Sequence, residues 1–171
     1  MLAPALPFDS ASILTGAARL AGVFGWPIAH SRSPRLHGFW LRRYGIDGAY
    51  VPLGCPPDAF AVAVRGLRAA GFRGANVTAP HKQAAFALCD HVEESAARAG
   101  AVNTLTFAED RIHGANTDGY GFLESLREAA VDPTSGPALL LGAGGAARAI
   151  AAALLALGVP VAVANRTGAH A

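Results

Sequence analysis

The stretch LLLGAGGAARAIAAALLALG (residues 139–158) constrains this chain more than any other. An apolar run suited to a buried parallel strand passes through Gly142, Gly144 and Gly145 into a segment rich in alanine, the best helix former. Glycine at such a joint permits a tight turn and lets the backbone come close to a pyrophosphate. The helix N-terminus then presents free N–H groups and the positive end of its dipole to the phosphates. Small residues at an ordinary strand-to-helix turn can serve packing alone. The strand–loop–helix context nevertheless favours a dinucleotide site, with Gly142, Ala143, Gly144, Gly145 and Ala146 holding the pyrophosphate.

The following strand, over residues 159–164, selects between cofactors. NAD enzymes place Asp or Glu at its end to bind the ribose 2′-hydroxyl. Here it runs into Asn165, Arg166 and Thr167, with no carboxylate. A guanidinium pairs with a 2′-phosphate through its planar fork, and Asn165 and Thr167 add neutral hydrogen bonds. NADP is therefore expected rather than NAD.

Upstream, strands are expected at 20–25, 49–53 and 74–80, and helices at 34–44 and 58–70. Leu36, Phe39 and Trp40 fall on one face of the first helix; Phe60, Val64 and Leu67 are at helical spacing in the second. Residues 82–99 read as one helix broken near Asp90. A hairpin over AVNTLTF and RIHGANT precedes a helix at 119–130. Alternating strands and helices imply an α/β fold: a three-layer substrate domain with a mostly parallel sheet, then the first βαβ unit of a Rossmann domain. The expected divisions are a disordered extension (1–19), a substrate-binding catalytic domain (20–130), a linker (131–137) and an incomplete NADP-binding domain (138–171). The residues after Pro137 suffice for one βαβ unit, whereas a complete dinucleotide fold has two halves.

Of 171 residues, 52% are hydrophobic and 15% charged, with a formal net charge of +2. The charges are scattered rather than gathered into a basic stripe, so nucleic acid is not an implied partner. No apolar run is long enough to span a bilayer, and MLAPALPFDSAS lacks the basic start of a secretory signal. Cys55 and Cys89 match no metal or redox spacing and read as reduced thiols in a cytoplasmic protein.

Several polar residues stand near strand ends, where open α/β sheets bind ligands. Ser31 and Ser33 precede Pro34; Ser33 suits a helix N-cap, and the two hydroxyls can also hold a carboxylate. Asn76 and Thr78 close the third strand and Lys82 follows. A lysine there is by default a surface charge, but held by a carboxylate it can transfer protons. Asn103 sits among apolar neighbours and needs a partner. Asp118 suits a helix cap.

Together GVFGWPIAHSRSPRLH, GANVTAPHK, AGAVNTL, ANTDGYGF, LLGAGGAARA and ANRT resemble the shikimate dehydrogenase family, in its order and with its approximate spacing, from Leu20 onward. The resemblance implies NADPH-dependent reduction of 3-dehydroshikimate to shikimate in aromatic amino-acid biosynthesis. It implies that Ser31 and Ser33 hold the shikimate carboxylate, that Lys82 is the general acid/base beside Asp118, and that Thr78 and Asn103 bind the remaining groups. Glu94 matches a position near the nicotinamide side of the cofactor. The expected ligands are small molecules, without nucleic acid or membrane, and the expected assembly is a monomer or homodimer. Alternatives are a quinate/shikimate dehydrogenase using NAD, a shikimate-binding chain without turnover, and a folate-type dehydrogenase that would not need the two serines. His81 stands where the family usually has Phe, and His170 where a second basic residue commonly assists the 2′-phosphate.

Overall fold

The computed structural model describes residues 14–166. In chain order the elements are β1 (Arg19–Gly25), α1 (Ser33–Arg43), β2 (Gly48–Gly54), a 3-10 turn (Pro57–Ala59) leading into α2 (Phe60–Ala69), β3 (Gly74–Val77), α3 (Lys82–Leu88), β4 (His91–Val92) and α4 (Glu94–Ala99). Then come β5 (Thr104–Ala108), β6 (Arg111–Ala115), α5 (Asp118–Glu128), β7 (Ala138–Leu141), α6 (Gly145–Ala156) and β8 (Val161–Ala164). Six strands form one sheet in the order β2-β1-β3-β5-β6-β4, and β7 and β8 form a separate parallel pair.

The α/β class expected from the alternation is present, and the larger sheet is mixed. β1 pairs in parallel with β2 and β3, and β4 with β6, whereas β3–β5 and β5–β6 are antiparallel. From β1 the chain moves outward to β2, then crosses back past β1 to β3. Right-handed crossovers in opposite directions put α1 and α2 on opposite faces and open a crevice beyond the carboxyl ends of β1 and β3. The loops carrying Ser31, Ser33, Thr78 and Lys82 leave from that edge.

The core lies on the α2 side. Ala75 and Val77 of β3 and Leu105 and Phe107 of β5 alternate into it, meeting Phe24 of β1 and Phe60 and Val64 one turn apart on α2. Phe24 and Phe60 meet edge to face with centroids 5.1 Å apart, the arrangement aromatic quadrupoles prefer. Phe60 and Val64 are buried as the helical spacing predicts, with Leu67 packed at the margin. On α1, by contrast, Leu36, Phe39 and Trp40 remain 49%, 50% and 42% exposed.

Four local expectations are corrected. Residues 82–99 are not one broken helix. Asp90 bonds to Ile112 through its backbone N–H and its side chain, so His91–Val92 join β6 and separate α3 from α4. Ser33 does not cap α1: it is the first helical residue, and its N–H donates to Ser31 Oγ at 3.3 Å. Asp118 likewise lies inside α5 rather than before it, with Thr117 at the cap position. Within the segment read as a disordered extension, the described residues 14–19 are tied down: the Thr15 hydroxyl and N–H both donate to Asp47, and Arg19 opens β1; residues 1–13 lie outside the described part.

The βαβ unit forms as expected. α6 packs on α5 and α4 through small residues: Ala99, Ala101 and Ala149 are buried together. A Cβ on Gly119 would stand 2.8 Å from the Ala149 carbonyl oxygen, so only glycine allows this approach of α5 to α6. Among the described residues no helix is long and apolar enough to cross a membrane.

Candidate active site

Lys82 is held from both sides before its side chain makes any contact. The Thr78 N–H continues the sheet by donating to the Phe24 carbonyl at 2.8 Å, and the His81 N–H turns back to Thr78 at 3.0 Å. The His81 ring is 1% exposed, stacks on Phe60 at 4.5 Å, and its Nε2 lies 2.8 Å from the Cys55 carbonyl. A carbonyl only accepts, so Nε2 carries the proton. Burial pushes the His81 pKa down, partly opposed by that bond, which keeps the ring neutral near neutral pH. The His81 ring thus ties the start of α3 to the loop after β2.

The Lys82 ammonium donates to Asp118 Oδ2 at 2.6 Å, with the two side chains 13% and 23% exposed. A pair this far from bulk water requires further hydrogen bonds to offset desolvation. Asn103 supplies one, donating through Nδ2 to Asp118 Oδ1 at 2.8 Å and to Thr117 Oγ1 at 2.9 Å. The Asp118 N–H donates to Asn116 Oδ1 at 2.9 Å, and Asn116 is anchored on the Ala101 carbonyl at 2.8 Å. Lys82, Asn103 and Asp118, from three separate segments, therefore form one cluster.

Thr78 and Lys82 face the glycine loop across a cleft of about 380 Å³, lined also by Ala79, Pro80, Gln83, Ala143, Gly144, Gly145 and Ala146. A Cβ on Gly145 would lie 2.8 Å from Lys82 Cβ and 3.0 Å from its Cδ, so the loop rests on the lysine stem. At Gly142 (φ +117°) and Gly144 a Cβ would meet nothing within 4 Å. Gly142 is already favoured by its own positive φ, but at Gly144 neither packing nor backbone conformation (φ −75°) requires the absence of a side chain. A phosphate group approaching the backbone at the start of α6 does, so these residues fit a dinucleotide.

Ser31 and Ser33 are half-buried beside α1. Arg166 is exposed just beyond β8, and Asn165 next to it is half-buried. Glu94 is exposed at the start of α4 and pairs with Arg98 one turn on, and the cleft is lined without it. Thr167 and His170 lie outside the described residues.

Sequence reasoning missed Tyr50, Thr104, Asn116 and Thr117, all bonded into the cluster or its support. Tyr50 Oη bonds Asn76 Oδ1 at 2.7 Å, and Asn76 Nδ2 reaches Thr104 Oγ1 at 3.2 Å. No spacing rule links these positions. The available signal was the polar Asn76 inside an otherwise apolar strand, since buried polar groups need partners.

Residues 23–105 match the family model described as the shikimate dehydrogenase substrate binding domain. The chain is 65% identical over 155 residues to a shikimate dehydrogenase (NADP(+)) of Acidiphilium cryptum, aligning 91% of this chain with 56% of that one. It is 56% identical to the enzyme of the same name from Paramagnetospirillum magneticum, over 90% of this chain and 57% of that one. The shikimate 5-dehydrogenase of Thermus thermophilus, solved with NADP(H) and shikimate, superposes with a TM-score of 0.81 at 46% identity, over 90% of this chain and 58% of that one. The chain thus spans just over half the length of the relatives it matches. Over the part it spans, with the substrate-domain sheet, the Lys82–Asp118 cluster and the glycine loop together, the chain is similar to shikimate dehydrogenases, and residues 23–105 match their substrate binding domain.

Proposed function

We propose that this chain binds shikimate and 3-dehydroshikimate and serves the NADPH-dependent reduction of the latter, a step of aromatic amino-acid biosynthesis, in the cytoplasm. The observation that carries the reading is the Lys82–Asp118 pair, 2.6 Å apart, with Lys82 lining a cleft closed on one side by the glycine loop. Lys82 gives its proton to the substrate oxygen as it becomes a hydroxyl, and takes it back in the reverse direction. Asp118 holds the ammonium in position, and Asn103 holds Asp118. Thr78 and Asn103 bind the ring hydroxyls, and Ser31 and Ser33 bind the carboxylate beside α1, which fixes the ring against rotation.

Gly142, Ala143, Gly144, Gly145 and Ala146 fit the pyrophosphate of NADP, Asn165, Arg166 and Thr167 its 2′-phosphate, and Glu94 the nicotinamide side; when bound, NADPH supplies the hydride. In this reading residues 20–130 form the substrate domain, 131–137 the linker and 138–171 part of the cofactor domain, in a monomer or homodimer.

The test is shikimate-dependent NADPH formation by the purified chain, with Lys82→Ala alongside. Turnover lowered about 10²–10⁴-fold in the variant, as loss of a general acid/base implies, supports the reading. Turnover unchanged in the variant would overturn the role of Lys82, and a preference for NAD+ would overturn that of Arg166. Shikimate binding without turnover would confine the reading to substrate recognition.

A further inference from the structure

A continuous line of hydrogen bonds leaves the Lys82 cluster and ends on a residue far from it, Tyr50 of β2. Its direction is fixed at both ends. Asn76 Nδ2 donates to the Asn103 carbonyl at 3.3 Å, a group that only accepts, so Asn76 Oδ1 must face Tyr50 and the phenol must donate. The Thr117 N–H donates to Asn103 Oδ1 at 3.1 Å, so Asn103 Nδ2 must face Asp118. Between them the Thr104 hydroxyl accepts from Asn76 and donates to Asn103 Oδ1 at 2.9 Å. One orientation of each group satisfies the whole line.

The sheet gives the phenol its path. On β1 between β2 and β3, Ala21 is paired with both Tyr50 and Gly74, and Asn76 follows two positions along β3 opposite Val23, so Tyr50 and Asn76 share one face of the sheet and only the Ala21 methyl stands directly between the tyrosine and β3. The His37 ring lies over Tyr50 almost parallel, with centroids 4.0 Å apart, and holds it flat. Burial pushes the Tyr50 hydroxyl up to about 12, so it remains a donor across the working pH range.

We infer that Tyr50 is a positioning residue for the substrate site: its hydroxyl satisfies Asn76 Oδ1 at the end of a line that backbone groups orient, and so braces Asn76, Thr104 and Asn103, and with them the aim of Asn103 at Asp118. This rests on the shikimate reading above. It adds a residue that touches neither Lys82 nor Asp118.

Tyr50→Phe keeps the ring under His37 and removes the donor. With the folded chain labelled with nitrogen-15, the side-chain amide resonances of both Asn76 and Asn103 should move in this variant. Shikimate affinity should fall about fivefold, the order expected for one hydrogen bond of ordinary net strength. Thr104→Val cuts the line at its middle and should give a similar loss, and the double variant should lose little more than either single one, because the effects share one line. An unmoved Asn103 resonance in folded Tyr50→Phe, or additive losses, would overturn the inference. If the parent chain binds no shikimate, the proposed function fails on its own, and the Asn103 resonance still decides whether Tyr50 braces the amide.

Discussion

Lys82 depends on a neighbour that resists carrying a charge. His81 is enclosed by Phe60 and the Cys55 carbonyl, and its pKa lies below the usual 6.5 because of burial. The unfolded chain therefore binds a proton near pH 6.5 that the folded chain refuses. Stability is full above that pH and falls as pH drops towards the folded value, by at most about 1.4 kcal/mol per pH unit for one group. His37, lowered by its own burial, adds a slope of the same sign. Thermal melts at pH 7.5 and pH 5 should show this loss, and His81→Phe should make it shallower without abolishing it. The same variant leaves the Cys55 carbonyl without this donor and should cost about 1–3 kcal/mol at pH 7.5. At this scale the sequence was most legible where a polar residue stood at the start of a helix, as Ser33, Lys82 and Asp118 do. Tyr50 was illegible because its partner Asn76 is 26 residues away and is met only by crossing β1.

At the scale of elements, glycines in helices separate packing from propensity. Gly38 sits in the middle of α1 with nothing within 4 Å of an added Cβ. Gly38→Ala should therefore stabilise the chain by about 0.5–1 kcal/mol, the ordinary helix preference for alanine. Gly119 in α5 should behave in the opposite sense, because its Cβ would strike the Ala149 carbonyl and stand 3.0 Å from Ala153 Cβ. Gly119→Ala should cost about 1–3 kcal/mol, as overpacking does. Urea melts of the two variants check both signs. The periodic elements were read well from the sequence: α2, α5 and β8 lie within two residues of the expected 58–70, 119–130 and 159–164. Residues 82–99 were not, since β4 exists only because β6, twenty residues on, offers it an edge. Local helical pattern carries no trace of that pairing.

Across the whole molecule, two sheets meet at Lys82. The glycine loop of the β7–α6–β8 unit rests on the Lys82 stem through Gly145, so the loop that fits the cofactor also limits where the lysine can lie. Gly145→Ala should displace one or the other and lower turnover more than it lowers stability, as rate and melting temperature measured together would show. The six family motifs were legible in order because each sits at a strand end. The packing between the sheets was not, as it rests on alanines and glycines whose spacing carries no charge or aromatic signal. The central claim is that Lys82, Asp118 and Asn103 form a shikimate site before any cofactor arrives. Calorimetric titration of the chain with shikimate, with the folded Asp118→Asn variant alongside, tests it most directly. The account predicts saturable binding of one equivalent by the parent chain and at least about tenfold weaker binding by the variant, the order expected when a charged hydrogen-bonding partner is lost. A folded parent chain that does not bind shikimate, or a variant that binds it equally well, would contradict it.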